Sequence, residues 1–169
     1  MDDSDARTVD FSKVYVASPG DSGSLLSSKI ASGLDIVLTG GLYNLTEPIV
    51  IGRSNAVVLG IGFPTLVSAG GLPTVRVTAS EGVRLAGILY QAGPKNTSAL
   101  LDWGTGDKGN PSNPGFIYDC FARVGGTTNP AVQQLTADTV VVIRQGYVVI
   151  DNAWIWRADH GSEYSHNKL

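Results

Sequence analysis

No apolar run in this chain lasts long before a Gly, Asn, Asp or Pro interrupts it. That punctuation constrains the fold more than any other feature. After Gly33 the β-prone runs occupy 35–39, 42–45, 48–51, 56–60, 65–67, 74–78, 83–89, 100–103, 115–124, 139–144 and 147–156. Short runs with such boundaries read as strands. Nothing between them has room for repeated crossover helices, which argues against a doubly wound α/β sheet. Charged residues are only 16% of the chain, and the 21 glycines exceed the usual share of about 7%. Both fit many buried strands joined by Gly-rich corners, and exclude a disordered chain or a coiled coil.

The runs also repeat weakly. Val57-Val58-Leu59-Gly60-Ile61 resembles Val83-Arg84-Leu85-Ala86-Gly87-Ile88, and Gly115-Phe116-Ile117-Tyr118-Asp119 resembles Gly146-Tyr147-Val148-Val149-Ile150-Asp151. Offsets of roughly 26 to 33 residues point to a solenoid, with three short strands per coil. The reading is all-β: a right-handed parallel β-helix, a single-stranded solenoid of about five coils. A β-sandwich is the rival, but it needs tight two-residue hairpins that are absent here. Before the first coil, the pattern predicts a short N-terminal capping helix over 24–32. Leu26 and Ile30 share its apolar face and Gly33 stops it. Such a helix would cover the open N-terminal end of the core. Residues 1–12 read as a polar leader, 13–161 as a truncated β-helix domain, and 162–169 as a polar tail. The loops 105–114 and 125–130 read as surface excursions.

Several classes are set aside. The net charge is −3 and the basic residues are scattered, so no nucleic-acid partner is expected. Cys120 is the only cysteine and there are two histidines, which excludes a disulfide framework and offers no metal site. No cofactor motif occurs. From Ser54 to Val75 no residue is charged, but glycines and prolines break the segment. It reads as two buried strands and a turn, with no membrane partner expected. The acidic N-terminus lacks the basic and apolar regions of a secretory signal, so either the chain does not use that route or a signal has been removed. Asn44-Leu45-Thr46 and Asn96-Thr97-Ser98 match the glycosylation acceptor pattern.

The stretches 10–21, 38–49, 57–62 and 82–89 carry a family likeness, in that order. The most specific block is Ile150-Asp151-Asn152-Ala153-Trp154-Ile155-Trp156-Arg157-Ala158-Asp159-His160-Gly161. Together they resemble the N-terminal part of secreted pectin-lyase-like right-handed parallel β-helix proteins, over roughly residues 10–161. Some relatives bear adenylyl cyclase or coagulation factor 5/8 type domain labels. No phosphate loop or paired metal carboxylates support a cyclase here. The resemblance implies an extracellular protein acting on polysaccharide, as a hydrolase or lyase if it is an enzyme.

Two constellations could carry that chemistry. Asp119, Phe121 and Arg123 alternate and are expected to share an outward face, with Tyr118, Cys120, Ala122 and Val124 inward. Asp151 occupies nearly the same repeat position as Asp119. If stacked one coil apart, about 4.8 Å, the two carboxylates could act as acid and base in glycoside cleavage. The alternative is a pair of solvated aspartates at strand ends. In the second constellation, Trp154 and Trp156 could stack on sugars, Arg157 and Arg123 could fork to acidic groups, Asp159 could assist binding, and His160 could exchange a proton. The alternative puts Trp154 and Trp156 in the core and pairs Arg157 with Asp159. Cys120 reads as a small interior residue. The expected function is carbohydrate binding or cleavage. The alternative is a non-catalytic module that self-associates through an open C-terminal coil.

Overall fold

The computed structural model describes residues 8–125 and 135–158. After a turn of 3₁₀ helix at Phe11–Lys13 come β1 (Val14–Ala17) and helix α1 (Gly23–Ala31). The first coil then comprises β2 (Asp35–Leu38), β3 (Leu42–Leu45) and β4 (Ile49–Ile51). The second comprises β5 (Val57–Gly60), β6 (Thr65–Ser68) and β7 (Val75–Val77), and the third β8 (Arg84–Ala86), β9 (Leu89–Gln91) and β10 (Thr97–Trp103). The fourth has β11 (Gly115–Tyr118), β12 (Phe121–Gly125) and β13 (Ala137–Ile143). β14 (Val148–Asp151) and β15 (Trp154–Ala158) begin a fifth.

β1 pairs in parallel with β2, and from β2 to β12 each strand pairs in parallel with the strand three places later. The result is three sheets: β1-β2-β5-β8-β11-β14, β3-β6-β9-β12-β15 and β4-β7-β10-β13. The chain visits each sheet once per turn, the course of a parallel β-helix. No described helix is long and apolar enough to cross a membrane.

Registered pairing makes side chains fall into columns. On the first sheet, Ile36, Val58, Leu85, Ile117 and Ile150 align. On the second, Tyr43, Leu66, Tyr90, Ala122 and Ile155 align. All but the last member of each column is buried. At roughly 25 cal/mol per Å² of apolar surface removed from water, these columns supply the main driving force. Tyr43 meets its polar requirement inside, its hydroxyl donating to the carbonyls of Ala17 and Thr39 (both 3.1 Å).

Helix α1 forms where the spacing of Leu26 and Ile30 requires it. It begins one residue earlier than expected, because Ser22 is the N-cap and accepts from the amide of Leu25 (3.1 Å). Gly33 takes φ +96° just beyond its end. The helix packs on β4, and Ser27 Oγ accepts from the amide of Val50 (2.8 Å), a donor on the edge of that sheet. Arg53 secures the other end. Its guanidinium donates to the carbonyls of Ile30 (3.2 Å) and Leu34 (3.1 Å) and pairs with the carboxylate of Asp35.

The expected runs 83–89, 115–124 and 147–156 each prove to be two strands with a corner between. The corner residues Gly87, Asp119 and Asn152 have φ of +68°, +48° and +52°. Glycine enters that left-handed region freely, and Asp and Asn enter it more readily than other residues. Each corner resets the alternation. Tyr118 is therefore half-exposed rather than inward, while Cys120, Ala122 and Val124 are inward as expected.

A side chain at Gly87 would place its Cβ 2.5 Å from the carbonyl oxygen of Gly60. Gly87→Ala should therefore cost about 2–3 kcal/mol in denaturant unfolding, from combined backbone strain and overlap. Asn152→Gly, at the same corner two coils on, should cost under about 1 kcal/mol.

Candidate functional site

The alternation that turns Ala122 and Val124 inward turns Phe121 and Arg123 outward. Parallel register carries both directions to the neighbouring strands. Leu89, Phe121 and Trp154 form one outward column, and Gln91, Arg123 and Trp156 the next. This outer face holds a slot of about 340 Å³ lined by Phe63, Leu89, Phe121, Ala122, Arg123, Trp154 and Trp156. That volume lies at the small end of ligand pockets, which run from about 300 to 1,000 Å³.

The aromatic rings form a continuous platform. Trp154 and Trp156 stack with centroids 5.6 Å apart and planes 16° apart. Phe121 meets Trp154 edge-on at 6.3 Å, and Phe63 lies 5.2 Å from Phe121. Trp154 is 59% exposed and Trp156 36%. The core placement considered for them is thus replaced by an outer one, because register puts them over Phe121 and Arg123 rather than over Ala122. Exposed indole faces present apolar, electron-rich surfaces, which suit the C–H faces of pyranose rings.

Arg123 reaches the slot from β12. Its Nε donates to Oε1 of Gln91 (2.6 Å), and the Gln91 amide nitrogen donates to the carbonyls of Ala92 (3.2 Å) and Gly125 (3.3 Å). Among the described residues no carboxylate lines the slot.

The other expected site residues separate. The register sets Asp151 opposite Tyr118, on the outer face of a different sheet. Asp119 lies at the corner, where its carboxylate accepts from the Asn152 side-chain amide. The stack therefore joins Asp119 to Asn152, and the expected Asp119–Asp151 stack is displaced by one residue. Arg157 aligns with buried Val124, so it holds an inward position of the last described strand and does not join Arg123, Trp154 and Trp156 on the outer face. Asp159 and His160, and with them the Arg157–Asp159 pair, lie outside the described residues.

Phe63, Leu89, Phe121 and Gln91 were not singled out as site residues by sequence reasoning. The signal was present: Leu89, Phe121 and Trp154 each follow a corner residue by two positions. It becomes legible only once the corners at Gly87, Asp119 and Asn152 are placed. Among the described residues no cluster of His, Cys, Asp and Glu could hold a metal ion.

Cys120 is buried beside the Tyr90 hydroxyl (3.8 Å). Burial pushes its thiol above the usual range, and pushes the Tyr90 phenol well above its own. Neither is poised as a nucleophile. Both stay protonated in the folded chain while the unfolded chain ionises. Stability is therefore full below the ordinary thiol value and falls as pH rises past the ordinary thiol and phenol values. The native protein should resist thiol-modifying reagents at mildly alkaline pH and react after denaturation, and its melting temperature should drop on further alkalinisation.

Known proteins share this fold. An exo-β-1,3-glucanase from Streptomyces sp. (strain SirexAA-E / ActE) is 34% identical over 159 residues, covering 93% of this chain and 26% of that protein. The structure of sacteLam55A from Streptomyces sp. SirexAA-E superposes with a TM-score of 0.79 at 34% identity, over 89% of this chain and 27% of that one. A variant of sacteLam55A in complex with glucose gives 0.81 at 35% identity, with the same coverage. The chain thus spans about a quarter of the length of these relatives. Residues 14–168 match the LAM55 pectate lyase-like domain, and the chain belongs to that family.

Proposed function

We propose that this chain is a sugar-binding β-helix portion of a protein that hydrolyses β-1,3-glucan. The observation that carries the reading is the stacked, exposed Trp154–Trp156 pair beside Phe121 and Arg123. The glucanase name of one relative and the glucose complex of another support a glucan as the polysaccharide. In this reading Trp154 and Trp156 bind the apolar ring faces and Arg123 supplies polar contact. Among the described residues the slot has no carboxylate pair of the kind that cleaves glycosidic bonds, so the residues lining it serve binding in this reading. Asp119, fixed to Asn152, acts as a corner support. A polymeric substrate places the work outside the cell.

The coil is right-handed in this proposal, since crossovers between parallel strands of one sheet are right-handed in about 98% of cases. In the same proposal, the described residues between Lys13 and Ala158 belong to one β-helical unit with α1 as its cap.

A second reading has its own support. Ile150 and Ile155 continue the two interior columns yet are 46% and 54% exposed. Their surface, with the neighbouring edges of β14 and β15, would favour association of the last described coil with further strands.

Titration calorimetry with β-1,3-gluco-oligosaccharides tests the first reading. Trp154→Ala and Trp156→Ala should each weaken binding about tenfold, matching a stacking loss near 1.4 kcal/mol. Asp151→Asn should leave binding unchanged. Absence of glucan binding by the folded wild type would exclude the reading. For the second, sedimentation of the folded chain should show concentration-dependent association, reduced by Ile155→Lys.

A further inference from the structure

We infer that Gln91 and Arg123 form a preset polar arm that orients the bound sugar, with Arg123 donating to two neighbouring hydroxyls of one glucose ring as that ring lies against the indoles. The inference rests on the glucan reading of the slot and adds to it a residue pair that decides which sugar is accepted.

The argument starts at Gln91. Its side chain is buried, and its amide nitrogen donates to two backbone carbonyls, those of Ala92 and Gly125. With the nitrogen so committed, the carbonyl oxygen Oε1 is left to face Arg123. That oxygen accepts from Arg123 Nε at 2.6 Å. The guanidinium is planar, so fixing Nε fixes the plane and direction of the whole fork. The terminal amino groups are not used by this bond. Among the described residues Arg123 is the one charged side chain lining the slot, on an otherwise apolar wall. A hydroxyl pair at the edge of a pyranose matches a planar fork, while the ring face matches the indoles. Orientation by a buried second residue lets the site read the configuration of those hydroxyls, because little side-chain freedom remains to accommodate a displaced one.

Gln91 is therefore a positioning residue and Arg123 a specificity-determining one. The amide of Gln91 also carries no charge, so it leaves the full charge of the guanidinium available to strengthen hydrogen bonds to hydroxyls.

The test compares two ligands that differ only in the configuration of the C4 hydroxyl of each residue: β-1,3-linked gluco-oligosaccharide and β-1,3-linked galacto-oligosaccharide. Calorimetry is run on wild type, Arg123→Lys, Gln91→Leu and Trp154→Ala, with thermal unfolding of each as the check on folding. Arg123→Lys should weaken gluco-oligosaccharide binding about tenfold, since a flexible point charge replaces the fork. Gln91→Leu should shrink the glucan-to-galactan affinity ratio, a change that a purely structural role would not produce. Wild-type affinity and selectivity in both Arg123→Lys and Gln91→Leu, alongside loss of binding in Trp154→Ala, would overturn the inference while leaving the glucan site standing. Tighter binding of a uronic-acid oligosaccharide than of the glucan would overturn it too, in favour of recognition of a carboxylate. No glucan binding by folded wild type would remove the underlying reading along with it.

Discussion

The backbone ladder between successive coils is the interaction on which everything else depends. Each strand from β5 to β12 satisfies its amides and carbonyls on the strand three places earlier and the strand three places later. That requirement fixes register, and register fixes which side chains lie above one another. The interior columns through Ile36 and Tyr43, and the exterior columns through Phe121 and Arg123, are two outcomes of the same rule. A ladder must also begin somewhere. Here α1 and the Ser27 hydroxyl meet the edge donor of Val50, and Arg53 ties the end of the helix to β2.

The architecture was legible because its causes are local. Short apolar runs and glycine punctuation mark strands and corners, and the spacing of Leu26 and Ile30 marks the helix. The inward placement of Cys120, Ala122 and Val124 also followed from simple alternation. Alternation failed across the corners. A residue in the left-handed region turns the chain without adding a Gly or Pro signal when that residue is Asp119 or Asn152. Alternation carried through that corner turns Tyr118 inward, and the repeat match sets Asp151 against Asp119, whereas the side chain that meets Asp119 is Asn152.

The same failure hid the site. Two tryptophans alternating on a strand announce a shared face, but the face is decided by the strand beneath. Only the pairing of Trp154 with Phe121, and of Trp156 with Arg123, shows that the shared face is the outer one. Gln91 was harder still. It is a polar residue at the end of a three-residue strand, and its importance lies in carbonyls contributed by Ala92 and by Gly125 of the next coil. No pattern within one run of sequence contains that information.

The three tryptophans sit in two distinct environments. Trp103 is enclosed in the core, its ring close against Gly115, whereas Trp154 and Trp156 are stacked in the open on the opposite side of the interior wall. Intrinsic fluorescence from this chain is therefore two signals in one spectrum. A blue-shifted component reports the integrity of the coil, and a red-shifted component, open to aqueous quenchers, reports occupancy of the outer surface. The protein carries its own optical means of separating a loss of fold from a change at its surface.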